Sequence, residues 1–241
     1  QSMEAARTTL EHATAAQISA SDAAKIQTNA INVFQLKTQD AAHVADVFAN
    51  AANASAVEIP ELSLALQQAG SVAAGFGISF EDTVATLDTF AQLGVKGSDA
   101  GTLMKTSLLA WQSPSDQQAQ AMQALNLQLS DAQGNFVGYR EMMAQLTDAS
   151  RSMTQEQFNN AAATLFGTDA VRAAMFAAND AAPIWDQQRQ ALERTGSASE
   201  LAAAQMHGLP GVVESVKNSI EGVKLGIYDG LGPIAEQVGP Q

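Results

Sequence analysis

The sequence predicts an all-α fold, a multi-helix bundle of short, alanine-rich helices with one small β-hairpin around residues 127–138. Three observations predict it. The 241-residue chain is 46% hydrophobic but only 5% aromatic and 15% charged, so alanine carries much of the apolar content and the cores must be thin. Large apolar residues recur at three- and four-residue steps, the period of a helix rather than a strand. Ser or Thr stands three residues ahead of an acid or amide before several of these runs, which marks helix starts.

Residues 1 to about 53 place Ile26, Ala30, Val33 and Phe34, then Val44, Val47 and Phe48, at helical spacing, and read as two helices. Leu62, Leu66, Ala69 and Ala73 continue the pattern over 61–74, and Gly75-Phe76-Gly77 ends it. Ser79 opens the next helix with Glu81 and Asp82 in its first turn, where acids favour the dipole. The stripe Phe80, Val84, Leu87, Phe90 and Leu93 follows, and Gly94 sits where a left-handed residue stops a helix. Beyond Gly97, Ser98 is a candidate cap, with Gly101 counted among the turn residues, and Leu103, Met104, Leu108 and Trp111 supply the buried face. Pro114 in Ser113-Pro114-Ser115-Asp116 takes the first position of another helix, which Asn126 ends.

Leu127 and Leu129 alternate with polar residues before Asp131-Ala132-Gln133-Gly134-Asn135, the one hairpin signal in the chain. Thr154 with Gln157 and Ser197 with Glu200 repeat the capping pattern, and Gly167 divides helices around 155–166 and 169–179. Roughly nine to eleven helices result. In the last segment Gly222, Gly226 and Gly230 share one helix face, which suits close backbone approach to a second helix. Three segments follow: an N-terminal helical segment over 1–55, a helical core with the hairpin over 56–207, and a glycine-rich C-terminal helix over 208–241. Both ends, Gln1 and Gly239-Pro240-Gln241, fall in helical sequence, so a longer parent chain is expected.

The formal charge of −13 disfavours gripping DNA or anionic lipid, since phosphate binding needs clustered Lys and Arg. Cysteine is absent, which excludes disulfides and thiolate metal sites. No run of eighteen apolar residues suggests a membrane span, and no charged-then-apolar leader opens the chain.

Chemical motifs fail one by one. Gly75-Phe76-Gly77 lacks the third glycine and the preceding strand of a dinucleotide fingerprint, and Lys105-Thr106 lacks the glycine of a phosphate loop. Gly97-Ser98-Asp99-Ala100-Gly101 has no strand leading into a nucleophile elbow. His12, His43 and His207 lie far apart, with no ligand spacing among them. Glu81 and Asp82 read as solvated dipole-stabilising acids, and Phe158, Phe166, Phe176 and Trp185 as core anchors rather than a ligand groove. No catalytic, cofactor-binding or metal residue is assigned, and no enzyme activity is expected.

Taken whole, GISFEDTVATLDTFAQLGVKGSDAGTLMKTSLLAW resembles the core region of phage tail tape measure proteins. The likeness continues through Pro114, then LNLQLSDAQGNFVGYREMMAQL, then AAATLFGTDAVRAAM with its Phe-Gly break, and LPGVVESVKNSIEGVKLGIYDGLGPIAEQ, spanning about residues 40 to 240. Asn126 stands where that family more often has glycine.

The resemblance implies a virion structural protein that fills the tail tube lumen or tail tip, sets tail length during assembly in the host cytoplasm, and leaves at genome ejection. It implies as partners copies of itself in a small oligomer such as a trimer, the tail tube protein, tail tip or baseplate proteins and tail assembly chaperones. The host envelope is a further partner during injection, without sequence-specific nucleic-acid binding. One continuous helix of 241 residues would reach about 360 Å, but glycines and turns break this chain every ten to twenty residues, which suits a folded module. Alternatives are a peptidoglycan-degrading or other envelope-penetrating module and a free-standing helical interaction domain.

Overall fold

The computed structural model describes residues 2–55, 57–167, 172 and 176–208. Among these, eleven α-helices follow one another: α1 (Ser2–Ala16), α2 (Ala20–Val33), α3 (Ala41–Ala54), α4 (Ile59–Gly75), α5 (Phe80–Gln92), α6 (Gly97–Gln112), α7 (Asp116–Ala124), α8 (Tyr139–Ser152), α9 (Gln155–Phe166), α10 (Ala181–Ala191) and α11 (Ser197–Gly208). A short 3₁₀ turn, Thr38–Asp40, leads into α3.

One device ends five of these helices. Gln17, Gln35, Gly77, Gly94 and Asn126 each take a positive φ. The next residue's amide then reaches back to a carbonyl five residues earlier: Ile18 to Ala13, Leu36 to Ile31, Ile78 to Ala73, Val95 to Phe90 and Leu127 to Met122, at 2.8–3.0 Å. This geometry satisfies carbonyls that a helix end leaves open; its follower is Ile, Leu or Val in all five cases, and Leu36, Ile78, Val95 and Leu127 pack into the core. At the other ends, Ser19, Ser79, Ser115 and Thr154 accept the amide three residues on.

The helices close over a main core cluster that runs from Ala30 through Phe48, Leu62, Phe90, Met104 and Leu146 to Leu192, and a small second cluster of Ala45, Ala49 and Ala198 joins α3 to α11. At its centre α4 and α6 lie side by side with little room between them. A Cβ at Gly101 would stand 2.2 Å from the carbonyl oxygen of Ala65 and 2.8 Å from Gln68 Cβ, so only glycine lets the two backbones meet here.

Several expectations need correction. Residues 1–53 form three helices, because Gln17 and Gln35 serve at left-handed stops where glycine or asparagine is the usual signal. Residues 127–138 form no β-hairpin: a single antiparallel bridge joins Ser130 and Phe136, with no strand on either side. The Asp131 carboxylate accepts the amides of Gln133 and Asn135 and ties the segment into a tight loop, and Gly138 at φ +93 turns the chain directly into α8. Too few residues remain on either side for a ladder.

Ser98 is no cap, for α6 starts at Gly97 after Lys96 and makes no side-chain cap bond. Gly101 lies inside α6 and is a packing residue rather than a turn residue. Pro114 stands one residue before the cap Ser115 instead of at the first helical position. Ser197 begins α11 with its hydroxyl buried and unpartnered. Gly222, Gly226 and Gly230 lie outside the described residues.

Candidate functional site

The largest side chains meet where α5, α6 and α8 converge with the 127–138 loop. Trp111 stacks on Phe136 at 5.3 Å between ring centroids and lies 5.5 Å from Tyr139, and Phe90 stacks on Phe176 at 4.8 Å. Such pairs add about 0.5–1.5 kcal/mol beyond area burial. The Tyr139 hydroxyl donates to the Met104 carbonyl at 2.8 Å and shares a 2.7 Å bond with Ser107 Oγ. Burial pushes that phenol up and out of the titrating range, with the Ser107 bond working weakly the other way. A neutral, anchored tyrosine thus fixes α8 against α6. Phe158 and Phe176 are buried and Phe166 packs on the core.

A second set of polar groups ties α5 to its neighbours. Glu81 Oε1 lies 2.6 Å from His43 Nε2 of α3. Burial works to raise the Glu81 carboxyl, but the His43 bond, its own backbone amide, and the nearby His43 and Arg189 charges outweigh it and leave it below the usual range. Asp82 receives Arg189 of α10 at 2.8 Å, and Trp185 Nε1 donates to Thr86 at 3.0 Å. Glu81 and Asp82 therefore join three helices in addition to lining a first turn.

Asp46 of α3 does from a distance what Ser197 does not do locally. Its carboxylate accepts the Gly196 and Ala198 amides at 2.8 and 2.9 Å and so caps α11. Asn50, one turn further on, donates to the Arg194 carbonyl at 2.8 Å. Only folding brings these residues together across about 150 positions, so no local spacing announces them.

Two buried ionisable groups have unpartnered atoms. Asp88 Oδ1 bonds Ser55 while Oδ2 meets no partner, and burial lifts its carboxyl to about 7 against the Ser55 bond. His12 has no partner for either ring nitrogen, and burial alone lowers it to about 4.

Gly75 closes α4, Gly77 and Gly94 take left-handed turns, Gly97 leads into α6 at φ +57, Gly134 turns the 131–135 loop at φ +85, and Gly167 follows α9 at φ +58. Lys105 lies inside α6. Open grooves of about 880 and 730 Å³ lie beside α7–α9 and beside the Trp111–Phe136 stack. Carboxamides, hydroxyls and apolar groups line both, with no charged side chain in either, so they offer hydrogen bonds and apolar contact but no acid–base group. Among the described residues no group of three or more His, Asp or Glu could hold a metal ion, and no helix is long and apolar enough to cross a membrane.

What the arrangement does is hold many short helices in one body through close contacts and cross-helix caps. Comparison with known proteins gives that body a family. The family model described as "Phage-related minor tail protein" matches residues 1–167. The "Tape measure protein" of Pneumococcus phage Dp-1 is 32% identical over 212 residues, 87% of this chain and 18% of that protein. The "Probable tape measure protein" of Escherichia phage P2 is 29% identical over 206 residues, 82% of this chain and 25% of that protein. The chain thus spans a quarter or less of the length of these relatives, and no solved structure matches it. The family match starts well before residue 40, where the resemblance read from the sequence begins. This chain of stapled short helices belongs to the phage-related minor tail proteins, the tape measure family of phage tails.

Proposed function

We propose that the chain is a folded module of a tail tape measure protein, the structural protein that fills the tail tube lumen, sets tail length during assembly and is released at genome ejection. The observation that carries this reading is the extended similarity to two tape measure proteins, joined to a fold whose longest described helix has 17 residues. Such a helix reaches about 25 Å, so this segment, while folded, is suited to act as a body within the ruler rather than as a stretch of it. Its partners on this reading are further copies of the chain, as in a trimer, the tail tube protein, tip or baseplate proteins and assembly chaperones, with the host envelope at injection. The place is the tube lumen or tail tip. Alanine-rich contacts favour a body that can be pulled apart, since burying alanine contributes much less than burying leucine, and the −13 charge favours parting from DNA.

An in-frame deletion of roughly 60 residues here in the parent gene tests it, with tail length read by electron microscopy. Tails of normal length that fail to infect are expected. Tails shorter by about 90 Å, the rise of that much helix, would show that the segment itself is measured as ruler and would overturn the folded-module reading.

A further inference from the structure

Helix α1 packs on α2, α3 and α11, and the contact is poor by two independent measures. The first is apolar. Its buried hydrophobic side chains are mainly alanines: Ala13 on α1, Ala23 and Ala30 on α2, Ala45 and Ala49 on α3, and Ala198 and Ala202 on α11. Phe48 is the large buried exception, with the partly buried Leu201 packed on Ala45, Ala49 and Ala198, and what stacks on Phe48 is the His12 ring, at 5.6 Å and 25°. The second measure is polar. Seven buried side-chain atoms in the described residues find no hydrogen-bond partner, and four of them are His12 Nδ1, His12 Nε2, Gln27 Nε2 and Ser197 Oγ, on α1 and two of the helices it packs against. Each such atom gives up water for nothing, at a cost of about 1–3 kcal/mol.

We infer that α1 is a latch, seated on the bundle by His12 in its neutral form and released by acid. Opening hands the imidazole, the Gln27 amide nitrogen and the Ser197 hydroxyl back to water, at the loss of the Thr9–Gln27 and Ser199–Glu11 hydrogen bonds. The rest of the bundle is centred on the α4–α6 contact and the aromatic cluster of Phe90, Trp111, Phe136 and Tyr139, and α1 meets the main core at its edge through Ala16.

The charges near α1 are committed elsewhere. On α1 itself Glu11 holds Arg7 and Ser199. On α2 Asp22 holds Lys25 and accepts from Ser19. On α3 His43 meets Glu81 and Asp46 caps α11. Beside α11 Glu200 holds Arg194. None of these bonds reaches His12, so a proton placed on it while α1 is seated has no carboxylate hydrogen-bonded to it. Burial accordingly lowers the imidazole from 6.5 to about 4. A group depressed on folding contributes stability that is complete above its unfolded value and is lost as pH falls through the folded one. The latch therefore weakens between about pH 6.5 and 4.

Backbone amide exchange on the whole chain tests this. Between pH 7.5 and 4.5, after correction for intrinsic rates, protection of α1 relative to α6 should fall about 10²-fold, the ratio that these two pKa values set. His12→Phe keeps the stack on Phe48 and removes the proton, so α1 should stay protected to within a few-fold at both pH values. This variant also separates the effect of His12 from that of acid on the rest of the chain. Constant α1 protection, equal loss in the variant, or simultaneous loss in α6 would each overturn the latch. In the unaltered chain the His12 ring resonances should titrate together with α1 opening. A His12 that gains its proton while α1 stays protected would also refute it.

Discussion

Gly101→Ala offers a sharp test of the packing argument, because two known effects oppose one another. Alanine is a better helix former than glycine by about 0.8–1 kcal/mol, and Gly101 lies inside α6, so helix propensity alone predicts a gain. The added methyl, however, would lie 2.2 Å from the Ala65 carbonyl oxygen and 2.9 Å from its carbon, where ordinary contact begins at 3.4 Å. The obstacle is backbone, so no rotamer change relieves it, and α4 and α6 must separate by about 1 Å. That movement disturbs Leu62, Ala65, Leu66, Ala69 and Ala73 on one side and Leu103, Met104 and Leu108 on the other, all buried. Overpacking of this kind costs about 1–3 kcal/mol, and a rigid neighbour places it at the upper end. Net destabilisation of about 2 kcal/mol is expected after the propensity gain, or about 4–8 °C in Tm for a chain of this length. Urea and thermal unfolding followed by circular dichroism measure it. Gly75→Ala is the control, since a Cβ there meets nothing within 4 Å at an ordinary φ, and it should be neutral or mildly stabilising. A Gly101→Ala chain as stable as the unaltered one would refute the close contact between α4 and α6.

Two further outcomes follow from buried or capping carboxylates. Asp46→Ala removes the acceptor for two amides at the start of α11 and should cost about 1–2 kcal/mol. Amide exchange should show the loss first in α11, and a loss spread evenly over the chain would count against the cap. Asp88 is raised on folding to about 7, so its contribution is complete below about pH 3.8 and is lost as pH rises through 7. Asp88→Asn, which does not titrate, should therefore gain about 2–3 kcal/mol on the unaltered chain between pH 5 and pH 8. Parallel urea titrations at both values read this difference directly, and a pH-independent difference would exclude the buried, protonated carboxyl.

Much was legible from local chemistry. Ser79 with Asp82, Thr154 with Gln157, and the positive-φ stops at Gly77, Gly94 and Asn126 are set by residues close in sequence to the amides and carbonyls they serve, so spacing alone reveals them. Helical periodicity also located the buried face of α5, Phe80, Val84, Leu87 and Phe90. Gln17 and Gln35 were missed because a left-handed glutamine carries no compositional signal, and one helix boundary vanished with them. The hairpin failed because alternation at Leu127 and Leu129 reports burial against the bundle just as well as strand pairing.

The sequence by itself determined that the chain is helical and where most helices start and stop. These follow from propensity, capping and period, all short-range properties of the chain. Only the tertiary structure decided that Gly101 serves contact rather than turning, that Asp46 caps a helix about 150 residues away, and that His12 and Asp88 are sealed from water. The physical reason is common to all four. Each role depends on which backbone or solvent lies opposite the residue once distant helices have packed, and no local pattern records that.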